Sequence, residues 1–165
     1  MDWIWSPWRF PYVSSAPSPD GCAFCKALDL SDEEGLILHR GKENFIILNL
    51  FPYTSGHLMI APYAHTGELS DATKSATDEM MDLAKWAQQI LRVTYRPHGF
   101  NLGMNLGQAA GAGIAEHFHL HVLPRWFGDT NFTTVIGESR VIPEDLKATY
   151  AKLKGQFSKT RPPQP

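Results

Sequence analysis

Three histidines alternate with apolar residues in the last third of this 165-residue chain: His117, His119 and His121. Side chains two residues apart point to the same face of a β-strand. The segment 117–123 is therefore predicted to be a strand with imidazoles on one face and a core on the other. Imidazole titrates near neutral pH, binds metals and can act as a nucleophile. Strict alternation favours a reactive or metal-binding face over a chance histidine-rich strand or a surface metal patch.

The composition excludes several classes of protein. With 43% hydrophobic and 19% charged residues, the chain is typical of one folded domain with a real core. A net charge of −2 gives no broad basic field for nucleic acid. No apolar run approaches the roughly 20 residues of a membrane helix, and residues 1–9 lack the pattern of a signal peptide. We therefore expect a cytoplasmic protein that binds neither nucleic acid nor membrane.

The order of predicted elements favours an α+β fold with an antiparallel sheet. Strand patterns fall at 36–40, 44–50, 57–62, 100–106 and 117–123. Helical spacing at 76–95 predicts one long helix, capped by Ser75 or Thr77, and a short last helix begins around Pro143. An aromatic and proline-rich arm (1–20) precedes the domain (21–157), and a disordered tail (158–165) follows it.

The segment His117-Phe118-His119-Leu120-His121-Val122-Leu123 resembles the signature of the histidine triad family of nucleotide hydrolases and transferases. Further segments resemble a bacterial branch that contains diadenosine tetraphosphate phosphorylases, so the resemblance spans residues 5–155. These segments are Trp5–Arg9, Asn49–Tyr53, Pro97–Asn101, Gly103–Gly107, Ala110–Gly113 and Pro124–Phe132. The resemblance implies a five-stranded antiparallel sheet with helices on one side, in a two-fold homodimer with a continuous sheet.

The only two cysteines, Cys22 and Cys25, form a C-x-x-C pair. A redox pair, a structural disulfide, free thiols and half of a metal site are the alternatives. The first would follow a strand, whereas this pair follows a proline-rich arm, and a disulfide is disfavoured in the cytosol. The resemblance implies that His65, in a Pro-x-x-His segment, and His117 complete a closed Cys₂His₂ zinc site, which is structural rather than catalytic.

The same resemblance assigns the two remaining triad histidines to the reaction. His119 would attack the α-phosphorus of a nucleotide and form a nucleotidyl-histidine intermediate. His121 would bond the bridging or departing phosphate oxygen. For His119 to attack through one nitrogen, its other nitrogen must keep a proton that an acceptor holds, most simply a backbone carbonyl.

Substrate contacts are expected around these histidines. Small residues at 107–113 would let backbone N–H groups approach phosphate, although most such loops are only turns. The resemblance places Asn49 on ribose, whereas Asn49 could also simply end a strand. His57 would be a structural hydrogen-bonding histidine. The other expected contacts are Asn105, Gln108, Ala112, Gly113, Arg125, as a donor to phosphate, and Trp126, as a wall of the site. For these last two, a solvent-facing arginine and a core tryptophan are the alternatives.

These residues lead to one principal hypothesis and three alternatives. The principal one is cleavage of dinucleoside polyphosphates such as diadenosine tetraphosphate at the α-phosphate, with phosphate or water as acceptor. Phosphorolysis is the branch's reaction, but Gly113 stands where at least one phosphorylase has serine, so hydrolysis stays open. The alternatives are hydrolysis of nucleoside phosphoramidates or nucleotidyl sulfates, a nucleotide-binding signalling module, and removal of adenylate from DNA ends. The charge balance disfavours the last.

Overall fold

Five antiparallel strands form a single sheet in the computed structural model, which describes residues 21–130 and 144–163. The predicted arm at 1–20 lies outside the described residues. The strands are β1 (Ile37–Arg40), β2 (Asn44–Leu48), β3 (Leu58–Pro62), β4 (Gly99–Gly103) and β5 (Leu120–Arg125). Their order across the sheet is β1-β2-β3-β5-β4. The α+β class and the five-stranded antiparallel sheet are confirmed.

Two helices cover one face of the sheet and create the larger core. Of the helices α1 (Ala23–Asp29), α2 (Lys74–Tyr95) and α3 (Leu146–Lys159), the last two pack there against buried strand residues. The predicted helix at 76–95 begins two residues earlier, because the side chain of Thr73, rather than Ser75 or Thr77, accepts the N–H of Ala76 at 3.1 Å. The last helix continues through Lys159, so the tail predicted from residue 158 starts too early.

A third helix was not predicted from the sequence. Helix α1 (Ala23–Asp29) lies on the opposite face of the sheet, where Phe24 and Ala27 pack with Ile37 and Phe45. The expectation that helices lie on one side is therefore wrong for α1. A seven-residue helix without a side-chain cap is marginal on its own, so its tertiary contacts must stabilise it.

The triad segment enters the sheet later than predicted. Strand β5 begins at Leu120 and not at His117, because β3 pairs Ile60 with Leu120 and ends at Pro62. If this register continued, Ala61 would face His119 and Pro62, which has no N–H to donate, would face Phe118. The N–H of Phe118 instead bonds the carbonyl of Thr66 at 2.8 Å.

The predicted faces of this segment are nevertheless confirmed. The apolar residues between the histidines belong to the core under α2 and α3. The histidines therefore share the other face, which also carries helix α1. Among the described residues, no helix has the length and apolar character needed to cross a membrane.

One carboxylate joins helix α2 to the turn between β1 and β2. Glu79 accepts the main-chain N–H groups of Lys42, Glu43 and Asn44 at 2.7–2.8 Å, and the side-chain amide of Asn44 at 2.8 Å. Burial by itself would raise the pKa of Glu79, but the bonds from Asn44 and from the three N–H groups outweigh it and lower that pKa. The ionised carboxylate therefore stabilises the native sheet.

Replacing this carboxylate should destabilise the chain in a pH-dependent way. We expect Glu79→Gln to lower the free energy of unfolding by about 2 kcal/mol at neutral pH, because an amide cannot accept all four donors. Since the folded-state pKa lies below the ordinary 4.5, this stabilisation is complete above that pH and is lost as pH falls further. Urea unfolding from neutral to acidic pH measures it. Asp82→Asn, on the exposed face of the same helix, is the control; an equal loss there would contradict the assignment.

Candidate active site and metal centre

Four potential metal ligands converge where α1 meets the triad segment: Cys22, Cys25, His65 and His117. Their ligand atoms all lie within 4.8 Å of one another. The Nδ1 atom of His117 is 3.4 Å from the sulfur of Cys22 and 3.8 Å from that of Cys25, whose sulfur is 3.3 Å from Nδ1 of His65. Zinc bonds of ~2.3 Å to sulfur and ~2.0 Å to nitrogen put tetrahedral ligands roughly 3.5 Å apart. The cluster therefore fits a tetrahedral zinc ion.

A second hydrogen bond prepares His117 for this role. Its Nε2 atom donates to the carbonyl of Pro62 at 2.8 Å, which leaves the Nδ1 lone pair directed at the two sulfurs. Burial lowers the pKa of His117, so the ring is held in the neutral form that a metal requires. The four predicted ligands are thus brought together as the resemblance implied.

Both thiols of the cysteine pair are free, and each sulfur lies within 3.3–3.4 Å of a histidine Nδ1 atom. Burial raises the pKa of Cys25, and the hydrogen bond and charge of Cys22 raise it further.

The expected nucleophile, His119, is buried and held by one carbonyl. Its Nδ1 atom lies 2.9 Å from the carbonyl oxygen of His117, an atom that can only accept. The proton therefore sits on Nδ1, and Nε2 carries the lone pair. This is the backbone acceptor that the sequence analysis required.

A chain of hydrogen bonds fixes His121 in the opposite tautomer. Nδ1 of His57 accepts the N–H of Tyr53 at 3.1 Å and the side-chain amide of Asn49 at 3.2 Å, so His57 carries its proton on Nε2. That Nε2–H donates to Nδ1 of His121 at 2.9 Å. His121 must therefore carry its own proton on Nε2. His57 is confirmed as a structural hydrogen-bonding histidine.

Burial keeps the rings of His119 and His121 neutral. Desolvation lowers the pKa of His119. It also lowers the pKa of His121, to about 4, with a smaller contribution from His119, whose ring centroid is 4.7 Å away. At neutral pH the pair therefore presents one basic nitrogen and one N–H donor. This arrangement suits attack on an electrophile whose leaving atom carries negative charge.

Asn49 is linked to His121 through the ring of His57. Its main-chain N–H bonds the carbonyl of His57 at 3.1 Å, and its side-chain oxygen accepts the N–H of Phe51 at 2.9 Å. Asn49 thus lies directly after the end of β2, as expected of a residue that simply ends a strand. Its side-chain amide also donates to His57 and so helps to set the tautomer of that ring.

The loop that was expected to meet phosphate folds as a tight turn. A short 3₁₀ segment spans Gln108–Ala110, between Gly107 and Gly111, which both have positive φ. The N–H of Ala112 bonds the carbonyl of Gly107 at 3.3 Å, while Gln108 and Gly113 are exposed. Asn105 is half-buried, two residues past β4.

Arg125 and Trp126 lie at the far end of the histidine face. Both line a cavity of about 630 Å³ together with Leu123 and Tyr53. The guanidinium of Arg125 forms a bidentate ion pair with Asp129 at 2.6 and 2.8 Å and bonds the side-chain oxygen of Asn101 at 2.6 Å. The side chain of Arg125 is 41% exposed, and its guanidinium already donates to Asp129 and Asn101 rather than being presented freely to phosphate. Trp126 is half-buried and walls the cavity.

Sequence reasoning missed two residues that pack against the rings of His119 and His121. Phe24 packs with its ring centroid 4.8 Å from that of His119, and Tyr53 stacks 6.0 Å from that of His121. The position of Phe24 between the two cysteines was the available signal for the first. Nothing in the sequence indicated the second.

Fold and site together define a histidine triad protein. The HIT domain family model matches residues 32–128, and the chain belongs to this family. A relative with an established name is AP-4-A phosphorylase of Mycobacterium tuberculosis, which is 44% identical over 164 residues, covering 94% of this chain and 84% of the relative.

Solved structures agree with the fold. A zinc-bound histidine triad family protein from Mycobacterium smegmatis superposes with a TM-score of 0.66 at 25% identity, covering 85% of this chain and 95% of that one. Diadenosine triphosphate hydrolase of Plasmodium falciparum gives a TM-score of 0.62 at 14% identity, covering 79% and 78%, and supports the fold alone. The Cys₂His₂ cluster and the zinc-bound relative together suggest a zinc site here.

We expect the purified protein to contain about one zinc ion per chain, because four ligands close a tetrahedron. Elemental analysis measures this directly. Cys25→Ser should lower the zinc content well below one, whereas His98→Gln, which changes an exposed histidine outside the cluster, should not. Cobalt loading gives a second readout: an S₂N₂ site should show thiolate-to-cobalt absorption. Full zinc retention by Cys25→Ser would contradict the ligand set.

Proposed function

We propose that this chain is a nucleotidyl transferase that cleaves diadenosine tetraphosphate at an α-phosphate and passes the adenylate to inorganic phosphate. The observation that carries the proposal is the 44% identity, over nearly the whole chain, to AP-4-A phosphorylase. The tautomers of His119 and His121 support it, because they supply the base and the donor that such a transfer needs.

In the first half of the reaction, Nε2 of His119 attacks the α-phosphorus. A nitrogen–phosphorus bond forms, the bond to the bridging oxygen breaks, and ATP departs. The carbonyl of His117 holds the Nδ1 proton and so stabilises the positive charge that develops on the ring. The Nε2–H of His121 donates to the departing oxygen. Because the pKa of His121 is about 4, it acts as a neutral donor and not as an imidazolium.

In the second half, an oxygen of inorganic phosphate attacks the same phosphorus, the nitrogen–phosphorus bond breaks, and ADP is formed. Water in place of phosphate would give AMP, and this hydrolysis is the competing outcome. An intact His119 favours turnover over a purely nucleotide-binding role, since the intermediate needs its nitrogen.

The remaining site residues are proposed to bind the substrate. Asn49 would contact the ribose, and Trp126 would line the part of the site that holds the polyphosphate. Within the turn, Gln108, Ala112 and Gly113 would contact the substrate. Asn105, which precedes the turn, would also contact it. Arg125 would bind phosphate through the N–H groups that do not already donate to Asp129 or Asn101. It would therefore be a weaker phosphate ligand than the resemblance implied.

We propose that zinc at the Cys₂His₂ cluster is structural. The four protein ligands leave no open position for substrate or water. Bound zinc would cross-link α1 to the triad segment, and its ligand His117 also supplies the carbonyl that holds His119.

We also propose a two-fold homodimer. Strand β4 lies at the edge of the sheet, and Leu102 within it is 41% exposed. An edge of this kind is a template for pairing with a second copy. Light scattering should give twice the 18.5 kDa of the chain.

Product analysis tests the proposed reaction. Diadenosine tetraphosphate should give ADP and ATP only when inorganic phosphate is present, as resolved by anion-exchange chromatography. AMP and ATP in both buffers would make the enzyme a hydrolase. If neither buffer supports turnover while adenosine phosphoramidate is cleaved, diadenosine tetraphosphate is not the substrate.

The two reactive histidines should differ in their effects. His119→Ala should lower kcat by about 10³-fold or more, because the intermediate cannot form. His121→Ala should lower it by about 10²-fold, the usual cost of losing one donor to a developing anion. His98→Gln is the matched control and should retain full activity. Equal losses at positions 119 and 121, or activity in His119→Ala, would refute the division of roles.

A further inference from the structure

The ring of His119 has one polar anchor in its packed surroundings. Its Nδ1–H bonds the carbonyl of His117, and the side-chain hydrogen bonds of the described residues give Nε2 no partner. The χ2 torsion of histidine is broad, so a ring held at one nitrogen can pivot about that bond. Attack on phosphorus requires the lone pair to stay aligned within about 10–20°. A second contact must therefore restrict the ring.

Phe24 supplies this contact. The centroid of its ring lies 4.8 Å from that of His119 and 5.2 Å from that of His117. The phenyl ring therefore packs against both imidazoles on the same face. On another side, His121 packs 4.7 Å from His119. Phe24 is 2% exposed, which leaves its own ring little room to move.

The helix that carries Phe24 is anchored on both sides of this residue. Cys22 occupies the N-cap position of α1 and Cys25 lies within the helix, so the two cysteines of the cluster flank Phe24 in sequence. Since α1 has seven residues and no side-chain cap, its position depends on these anchors and on its packing. A ring placed between two metal ligands is held more firmly than one on an untethered helix.

We propose that Phe24 is a positioning residue: it holds the imidazole of His119 in the orientation that aims Nε2 at the substrate. Phe24 acts through His119 and does not itself touch the reacting atoms. The kinetic part of its test rests on the proposed function. The spectroscopic part does not, because it observes the His119 ring in the absence of substrate.

Phe24→Leu tests the proposal, because leucine stays apolar but lacks the flat face. We expect kcat for diadenosine tetraphosphate to fall by about 10-fold to 100-fold while KM changes by less than about 2-fold. The ¹⁵N NMR spectrum of histidine-labelled zinc-bound protein should show one Nδ1-protonated tautomer of His119 in the original chain. In Phe24→Leu the same signal should report a mixture of tautomers.

Phe157→Leu is the matched control. It makes the same change at a buried phenylalanine (4% exposed) that packs on Trp86, across the sheet from the histidines. It should lower the thermal midpoint similarly and leave both kcat and the His119 signal unchanged. Equal kcat losses in the two variants, an unaltered His119 signal in Phe24→Leu, or loss of its zinc would each overturn the proposal. Absence of turnover in the original chain would instead refute the proposed reaction, and the NMR comparison would still decide the role of Phe24.

Discussion

The structure depends on hydrogen bonds that assign one proton to one nitrogen on each of four histidines. A neutral imidazole has one donor and one acceptor, and its neighbours decide which nitrogen is which. The carbonyl of Pro62 turns Nδ1 of His117 toward the cysteines, and the carbonyl of His117 turns Nε2 of His119 outward. His57 gives His121 the opposite arrangement. One residue type, repeated at one spacing, thereby presents a lone pair toward the cysteines, a second lone pair on Nε2 of His119, and an N–H donor on Nε2 of His121.

Burial makes these assignments effective. The three triad rings are at most 9% exposed, so the charged forms are disfavoured and the pKa of each ring is lowered. Desolvating a polar ring is costly unless it is hydrogen-bonded, and each ring has such a bond. The hydrogen bonds that offset the cost of burial are also those that set the tautomers. Stability of the sheet and readiness for chemistry therefore depend on the same contacts.

The sequence predicted the faces of the triad segment better than its ends. Alternation with period two requires only local geometry, and it placed Phe118 in the core and the histidines opposite. The start of β5, at Leu120, depends on where β3 ends, which is at Pro62 and far earlier in the chain. Helix α1 was missed because tertiary contacts hold it. Asn101 was missed as a partner of Arg125 because the two become neighbours only once β4 and β5 pair. Asp129 reaches Arg125 through the turn that follows β5.

The register of the sheet also places a glycine beside His121. Asn49 bonds His57, His57 bonds His121, and His121 lies opposite Gly103 on β4. Residues directly opposite one another share a face, so a side chain at 103 would stand next to the His121 ring. A Cβ there would meet no atom within 4 Å, and packing therefore does not require glycine. The missing side chain instead leaves open space on β4 beside the His121 ring, whose other neighbour, His57, is fixed by hydrogen bonds.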